Sequence, residues 1–278
     1  MKIALVHEFL TQLGGAERVL QTFHDIFPEA PVFTLVYDRQ KTRGQFDGWD
    51  IRRSFLQKFP GGARHYKWYL PLMPRATESF DFSGYDLVLS DSSAFAKGII
   101  TKKPTIHICY CHTPTRYLWQ DMDQYVSSIK YHGVIKAAAK LYLNFFLKKW
   151  DYRAAQRPNF FIANSRTVQE RIKKYYNRDS EVIYPPVDTE FFSPSPLSPP
   201  IKGGENALGI SSPQSGGGKE RGYYLTASRL EPYKKIDLVV EAFNKLGLPL
   251  KVAGEGTEAQ SLKRKAQNNI EFLGRVSD

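Results

Sequence analysis

The sequence predicts an α/β protein built from two doubly wound units in tandem, the second of them incomplete. Three observations predict it. The chain opens with an apolar strand, a Gly-Gly turn and a helix. Its last part again alternates short apolar strands with amphipathic helices. Between the two, composition changes sharply: Ser193 to Gly218 is dominated by Ser, Pro and Gly and has almost nothing to bury. The expected organisation is a first domain over 1–192, a disordered insertion over 193–221 and a partial second domain over 222–278.

Each element follows from its local pattern. Ile3 to Val6 is a short apolar run, and the loop after it carries Gly14-Gly15. The helix from Ala16 to Ile26 stops before Pro28. Val32 to Tyr37, Asp86 to Ser90 and Thr105 to Cys111 read as further strands. Ile51 to Pro74, rich in aromatic and basic residues, reads as irregular. A long helical pattern covers Lys136 to Ala155, with Ala137, Leu141, Phe145 and Trp150 among its apolar positions and five cations alongside. Phe160 to Ala163 is a strand, Asn164-Ser165 a cap and Val168 to Tyr175 a helix. Glu181 to Tyr184 is a strand running into an extended Pro185-Pro186 segment. Beyond the insertion come strand 223–227, helix 236–246, strand 250–253, helix 258–267 and strand 270–273.

Composition narrows the function classes. The net charge of +11 fits nucleic acid, an anionic membrane surface or a phosphorylated substrate. The cations are scattered and do not interleave with aromatics as a base-stacking platform would, so nucleic acid is the weakest of the three. No apolar stretch approaches the ~20 residues that cross a bilayer, and the N-terminus meets His7 and Glu8 too early for a signal peptide. Cys109 and Cys111 are read as unpaired thiols on opposite faces of a strand, without zinc spacing. A cytoplasmic protein, at most peripheral at the inner face of the cell membrane, is expected.

The most telling stretch is Ser228-Arg229-Leu230-Glu231-Pro232-Tyr233-Lys234-Lys235. Two cations at a strand-to-helix turn, beside the positive end of a helix, make a receptor for a diphosphate; a solvated basic turn is the bland alternative. Together with Val252-Ala253-Gly254-Glu255-Gly256, this pattern resembles the donor half of retaining family 4 glycosyltransferases. The run His7-Glu8-Phe9 to Gly14-Gly15-Ala16-Glu17-Arg18 is similar to the Gly-Gly-Ala-Glu motif of that family. So is Cys111-His112-Thr113-Pro114, which matches a His-x-Pro run. The resemblance covers nearly all of 1–192 and 222–278 and none of the insertion.

That resemblance implies a GT-B fold and transfer of a hexosyl group from a nucleotide sugar to a hydroxyl, with retention and no essential metal. It implies that Arg229 and Lys234 hold the donor diphosphate and stabilise the charge that grows there as the bond breaks. The backbone at Gly14 and Gly15 would approach the donor phosphates, and Gly254, Glu255 and Gly256 would line the donor site; an ordinary turn is the alternative for each. Arg275 and Val276 would meet the nucleotide base. His112 is an expected active-site residue, a histidine that caps a turn being the alternative. Arg116 would bind a phosphate on the acceptor, or else pair with Asp121 or Asp123.

The run around His112 looks closest to mannosyltransferase-like members, which implies GDP-mannose as donor. The implied acceptor is a glycan or lipid-linked sugar of lipopolysaccharide or exopolysaccharide assembly. Helix 136–155 is read either as a contact with anionic lipid or as a core helix with a solvated basic face. Relatives carry two glutamates, eight positions apart, beyond the point where this sequence stops. The chain is therefore expected to be truncated and to transfer poorly. Two rival classes remain: a non-catalytic remnant that binds nucleotide or sugar, and a basic module that binds polyanions.

Overall fold

The computed structural model of the chain describes residues 1–128, 133–189 and 223–276. The insertion expected over 193–221 lies outside the described residues. The chain divides into two compact units, Met1–Ser193 and Pro194–Asp278.

The first unit begins with β1 (Ile3–Leu10), α1 (Gly15–Ile26), β2 (Val32–Tyr37) and β3 (Ile51–Arg53). Next come α2 (Met73–Glu78), β4 (Leu87–Ser92), β5 (Ile106–Cys111), α3 (Arg116–Trp119) and α4 (Met122–Ser128). Helix α5 (Gly133–Tyr142) continues through a π-type segment, Leu143–Leu147, into α6 (Lys148–Ala154). β6 (Phe160–Ala163), α7 (Arg166–Tyr176) and β7 (Glu181–Val182) complete it. All seven strands are parallel, in the order β3-β2-β1-β4-β5-β6-β7. The chain order therefore reverses between β1 and β4, where doubly wound sheets take their ligands at the carboxyl ends of the strands.

The central strands are buried on both faces, which is why they read as continuous apolar runs. Leu5, Val32 and Leu89 pack with Leu20 of α1 on one side. Ala4, Val6, Phe33 and Val88 pack on the other. At roughly 1.5–3 kcal/mol for each large aliphatic side chain buried, this double cover makes the sheet a rigid platform for its loops.

Four expectations need correction here. Strand β1 runs to Leu10, not Val6, because His7 and Glu8 find buried partners and the strand need not end at its first polar residue. The stretch 51–74 contains an edge strand and two 3₁₀ turns, Phe55–Lys58 and Tyr66–Leu72. Cys109 and Cys111 are both buried in one core cluster. Positions two apart on a strand share a face, so they do not point to opposite sides. In the long helix, Leu143, Leu147 and Ala154 face the core, while Leu141, Phe145 and Phe146 face outward. Its outer face is thus apolar as well as basic.

The second unit holds β8 (Tyr224–Ala227), α8 (Ile236–Leu246), β9 (Leu250–Ala253), α9 (Ala259–Lys265) and β10 (Ile270–Gly274). Its parallel strands are ordered β10-β9-β8. Ile236 and Val240 of α8 and Leu262 of α9 pack on Leu250, Val252 and Ile270.

Candidate active site

In the first unit, the register of the sheet places His7 of β1 directly beside Asp91 of β4. Ser92 is in turn level with Cys111 of β5, so His112 emerges one residue beyond. His7 Nδ1 meets Asp91 Oδ2 at 2.7 Å, and His112 Nε2 is bonded to Asp91 Oδ1. The other ring nitrogen of His7 lies 3.8 Å from Glu17 Oε1, in the first turn of α1. His7, Asp91 and Glu17 are buried, and the His112 side chain is 13% exposed.

Burial drives the His7 ring toward neutrality, but the hydrogen bonds and charges of Asp91 and Glu17 outweigh it and raise its pKa to about 10. Asp91 is held low: burial would raise it, and the two imidazoles overcome that. Glu17 is lowered against burial in the same way, by His7.

Two further buried networks hold the loops around this cluster. Glu8 Oε1 accepts Ser92 Oγ at 3.0 Å, the Ser93 amide at 2.9 Å, the Ala96 amide at 3.2 Å and the Ala94 amide. A single carboxylate thus fixes the turn that follows β4. Below the His112 loop, Lys97 Nζ meets Asp151 Oδ1 at 2.6 Å and Thr115 Oγ1 at 3.2 Å. Asp151 also accepts Thr115 Oγ1 at 2.6 Å, Trp119 Nε1 at 2.7 Å and Tyr176 OH at 2.9 Å. An ion pair this deeply buried survives because every remaining lone pair has a donor.

The remaining expected residues of this unit fall nearby. Gly14 is the extended residue before α1, and a Cβ there would stand 3.1 Å from Glu17 Oε2. At Gly15 a Cβ would meet nothing within 4 Å. Arg116 takes the pairing alternative: its Nε and Nη2 donate to Asp121 Oδ2 at 3.0 and 2.6 Å.

In the second unit, β8 delivers Arg229, and a 3₁₀ turn, Pro232–Lys234, leads into α8. Both cations engage Tyr233. Arg229 Nη2 donates to its hydroxyl at 2.7 Å, and Lys234 Nζ lies 5.5 Å from its ring centroid. Arg229 and Lys234 are exposed. Gly254 and Gly256 are required by the protein's own backbone: a Cβ would stand 1.8 Å from Ser228 O and 2.3 Å from Leu230 O respectively. Their close approach lets the Leu230 amide bond Glu255 O at 2.8 Å, which locks the two strand-end loops together. Glu255, Arg275 and Val276 are exposed at that same end.

His7, Asp91 and Glu17 were not among the residues expected at the site. The available signal was a polar run, Ser90-Asp91-Ser92, closing an apolar strand, and a His-Glu pair inside another. Among the described residues, no group of three or more His, Cys, Asp or Glu side chains is placed to hold a metal. No described helix is long and apolar enough to cross a membrane.

Solved structures of similar shape exist. Anabaena HepE, crystallised with UDP, is 17% identical, with a TM-score of 0.60; the match covers 100% of this chain and 70% of HepE. The lipopolysaccharide outer core galactosyltransferase WaaB, in its apo form, is 16% identical over 100% of this chain and 69% of WaaB, with a TM-score of 0.52. At such identities the likeness is one of fold: a GT-B-like pair of Rossmann-like units, the second smaller, with three strands against seven. No curated protein matches the sequence. The sequence model described as Glycosyltransferase Family 4 matches residues 13–191. The chain belongs to glycosyltransferase family 4.

Proposed function

We propose that the protein transfers a hexosyl group from a nucleotide sugar to a hydroxyl of a glycan or lipid-linked acceptor, with retention, in cell-surface polysaccharide synthesis. The observation that carries this is the turn after β8, where Arg229 and Lys234 converge on Tyr233 with their cationic groups exposed. A nucleoside diphosphate needs such a pair, because charge builds on its outer phosphate as the C1–O bond breaks. The acceptor oxygen forms the new bond to C1, and its proton passes to the departing diphosphate. By resemblance to the family, His112 is assigned to the sugar and the Gly14-Gly15 backbone to the phosphates. Gly254, Glu255 and Gly256 shape the donor loop, with Arg275 and Val276 toward the base.

HepE was crystallised with UDP. The run at His112 favours GDP-mannose, so both nucleotides belong in the test. Calorimetry should show UDP or GDP binding that is lost in the double variant Arg229→Ala, Lys234→Ala and retained in His112→Ala. Retention in the double variant would refute the assignment.

We also infer that the acceptor side rests on an anionic membrane. The outer face of the 133–154 helical stretch exposes Val134, Leu141, Phe145 and Phe146 beside exposed Lys149 and Arg153. Aromatic and aliphatic groups flanked by lysine and arginine suit the boundary between acyl chains and anionic headgroups. Phe145→Ser with Phe146→Ser should abolish sedimentation with phosphatidylglycerol vesicles. Equal sedimentation with phosphatidylcholine vesicles would refute the electrostatic part.

A further inference from the structure

Four side chains, from β1, β4, the residue after β5 and helix α1, form a single row: Glu17, His7, Asp91, His112. Both nitrogens of His7 face carboxylates, Asp91 at 2.7 Å and Glu17 at 3.8 Å. A neutral ring donating through Nδ1 would turn the lone pair of Nε2 toward the Glu17 carboxylate. With both carboxylates ionised, the imidazolium is the form that matches both sides, hydrogen-bonded to Asp91 and at ion-pair distance from Glu17. An unpaired charge in such a buried place would be prohibitively costly, and the flanking carboxylates remove that cost. With one oxygen occupied by His7, Asp91 gives its other oxygen to His112 Nε2. Nε2 must then carry a proton, and Nδ1 is the ring nitrogen left for a ligand.

We propose that His7 and Glu17 are positioning residues for His112. The Glu17–His7–Asp91 row holds Oδ1 of Asp91 on the Nε2–H of His112, so that His112 meets its ligand through Nδ1 alone. Glu17 stands in the first turn of α1, two residues after Gly15, so the row also ties the orientation of His112 to the Gly14-Gly15 turn. A second-row carboxylate that sets an imidazole's tautomer is a familiar device. Here the carboxylate is itself set by a buried cation.

The test is nitrogen NMR of the full chain labelled with ¹⁵N-histidine, whose six histidines are assigned by single His→Gln variants. In the unaltered protein, His7 should show two protonated nitrogens at neutral pH, and His112 a single tautomer protonated at Nε2. Asp91→Asn should mix the tautomers of His112. Glu17→Gln, which removes charge without volume, should weaken the imidazolium signature of His7 and mix His112 in part, and His7→Gln should mix it fully. Glu17→Gln makes the test independent of whether His7→Gln folds. A neutral His7, or a His112 tautomer unchanged in Glu17→Gln, would overturn the proposal.

The kinetic consequence rests on the sugar-nucleotide chemistry proposed above, and the tautomer does not, so the two can fail separately. With UDP-glucose as probe, Glu17→Gln should lower kcat for hydrolysis or transfer by about 10- to 100-fold, as for a misplaced reacting group, and leave KM nearly unchanged.

Discussion

In the first unit, charged side chains are buried and paired with one another. His7 lies between Asp91 and Glu17, and Lys97 meets Asp151 beneath Thr115. At the strand ends of the second unit, Arg229 and Lys234 stand exposed around one tyrosine. Buried charges must be paired within the protein, so altering one of them registers in stability. Exposed cations cost the fold little and keep their capacity to bind an anion. In the reading proposed above, the first unit orients groups and the second offers charge.

The comparison is broken most directly at Lys97. Lys97→Met leaves the Asp151 carboxylate buried without its cation and should destabilise the first unit by about 3–5 kcal/mol, read from the urea midpoint. A shift no larger than that of a surface substitution would mean that the neutral donors on Asp151 suffice.

Next comes the pH dependence of His7. Its folded pKa, about 10, lies above the ordinary 6.5, so the folded state holds a proton that the unfolded state has released. That stabilisation is complete below pH 6.5 and declines as pH rises toward 10, at about 1.4 kcal/mol per pH unit. The interval up to 9.0 is the clean one. Cys109, raised to about 12 from 9.0 by burial, adds its own loss only above that. His107, lowered to about 3 by burial and by Arg157 and Arg178, acts only on the acid side. Melting temperature should fall from pH 6.5 to 9 in the unaltered chain and stay nearly level in His7→Gln. Parallel profiles would remove His7 from the account.

Backbone sensitivity separates the glycines. Gly254 has φ +136°, and a Cβ would be driven into Ser228 O. Gly254→Ala should cost about 1–3 kcal/mol, and faster hydrogen exchange should be confined to 223–276. Gly15→Ala, with open space around the added methyl, should change stability by at most about 0.5 kcal/mol. An equal response at both positions would show that the second unit adjusts freely.

The smallest effect on stability is the one that defines the second unit. Arg229→Ala and Lys234→Ala should each shift stability by less than about 0.5 kcal/mol while removing most nucleotide affinity in calorimetry. A large loss of stability would make the pair structural rather than ligand-facing.

Much of this molecule was legible in its residues. Strand–turn–helix alternation located every described strand but β3, and the longer helices, because parallel strands covered on both faces must be short apolar runs and their helices amphipathic; the short helices α2, α3 and α4 carry no such pattern. As candidates, Arg229, Lys234 and His112 could be named from the residues because each closes or follows a recognisable strand. His7, Asp91 and Glu17 could not be, since no local pattern announces that a polar residue in a strand or a first helical turn is buried. Arg116 was ambiguous for a related reason: a surface arginine chooses among nearby carboxylates, and only the path of α3 brings Asp121 within reach.

The α/β class, the two units and the polar groups near the carboxyl ends of the strands are properties of short stretches of chain, and the residues alone reveal them. Which of those groups meet depends on how distant stretches pack. His7 and Asp91 are 84 positions apart and become neighbours through the register of β1 on β4. Phe145 and Leu147 look alike in a helical pattern, yet one faces outward and the other is buried. Register and burial are set by the packing of distant elements, and no local window of residues contains them.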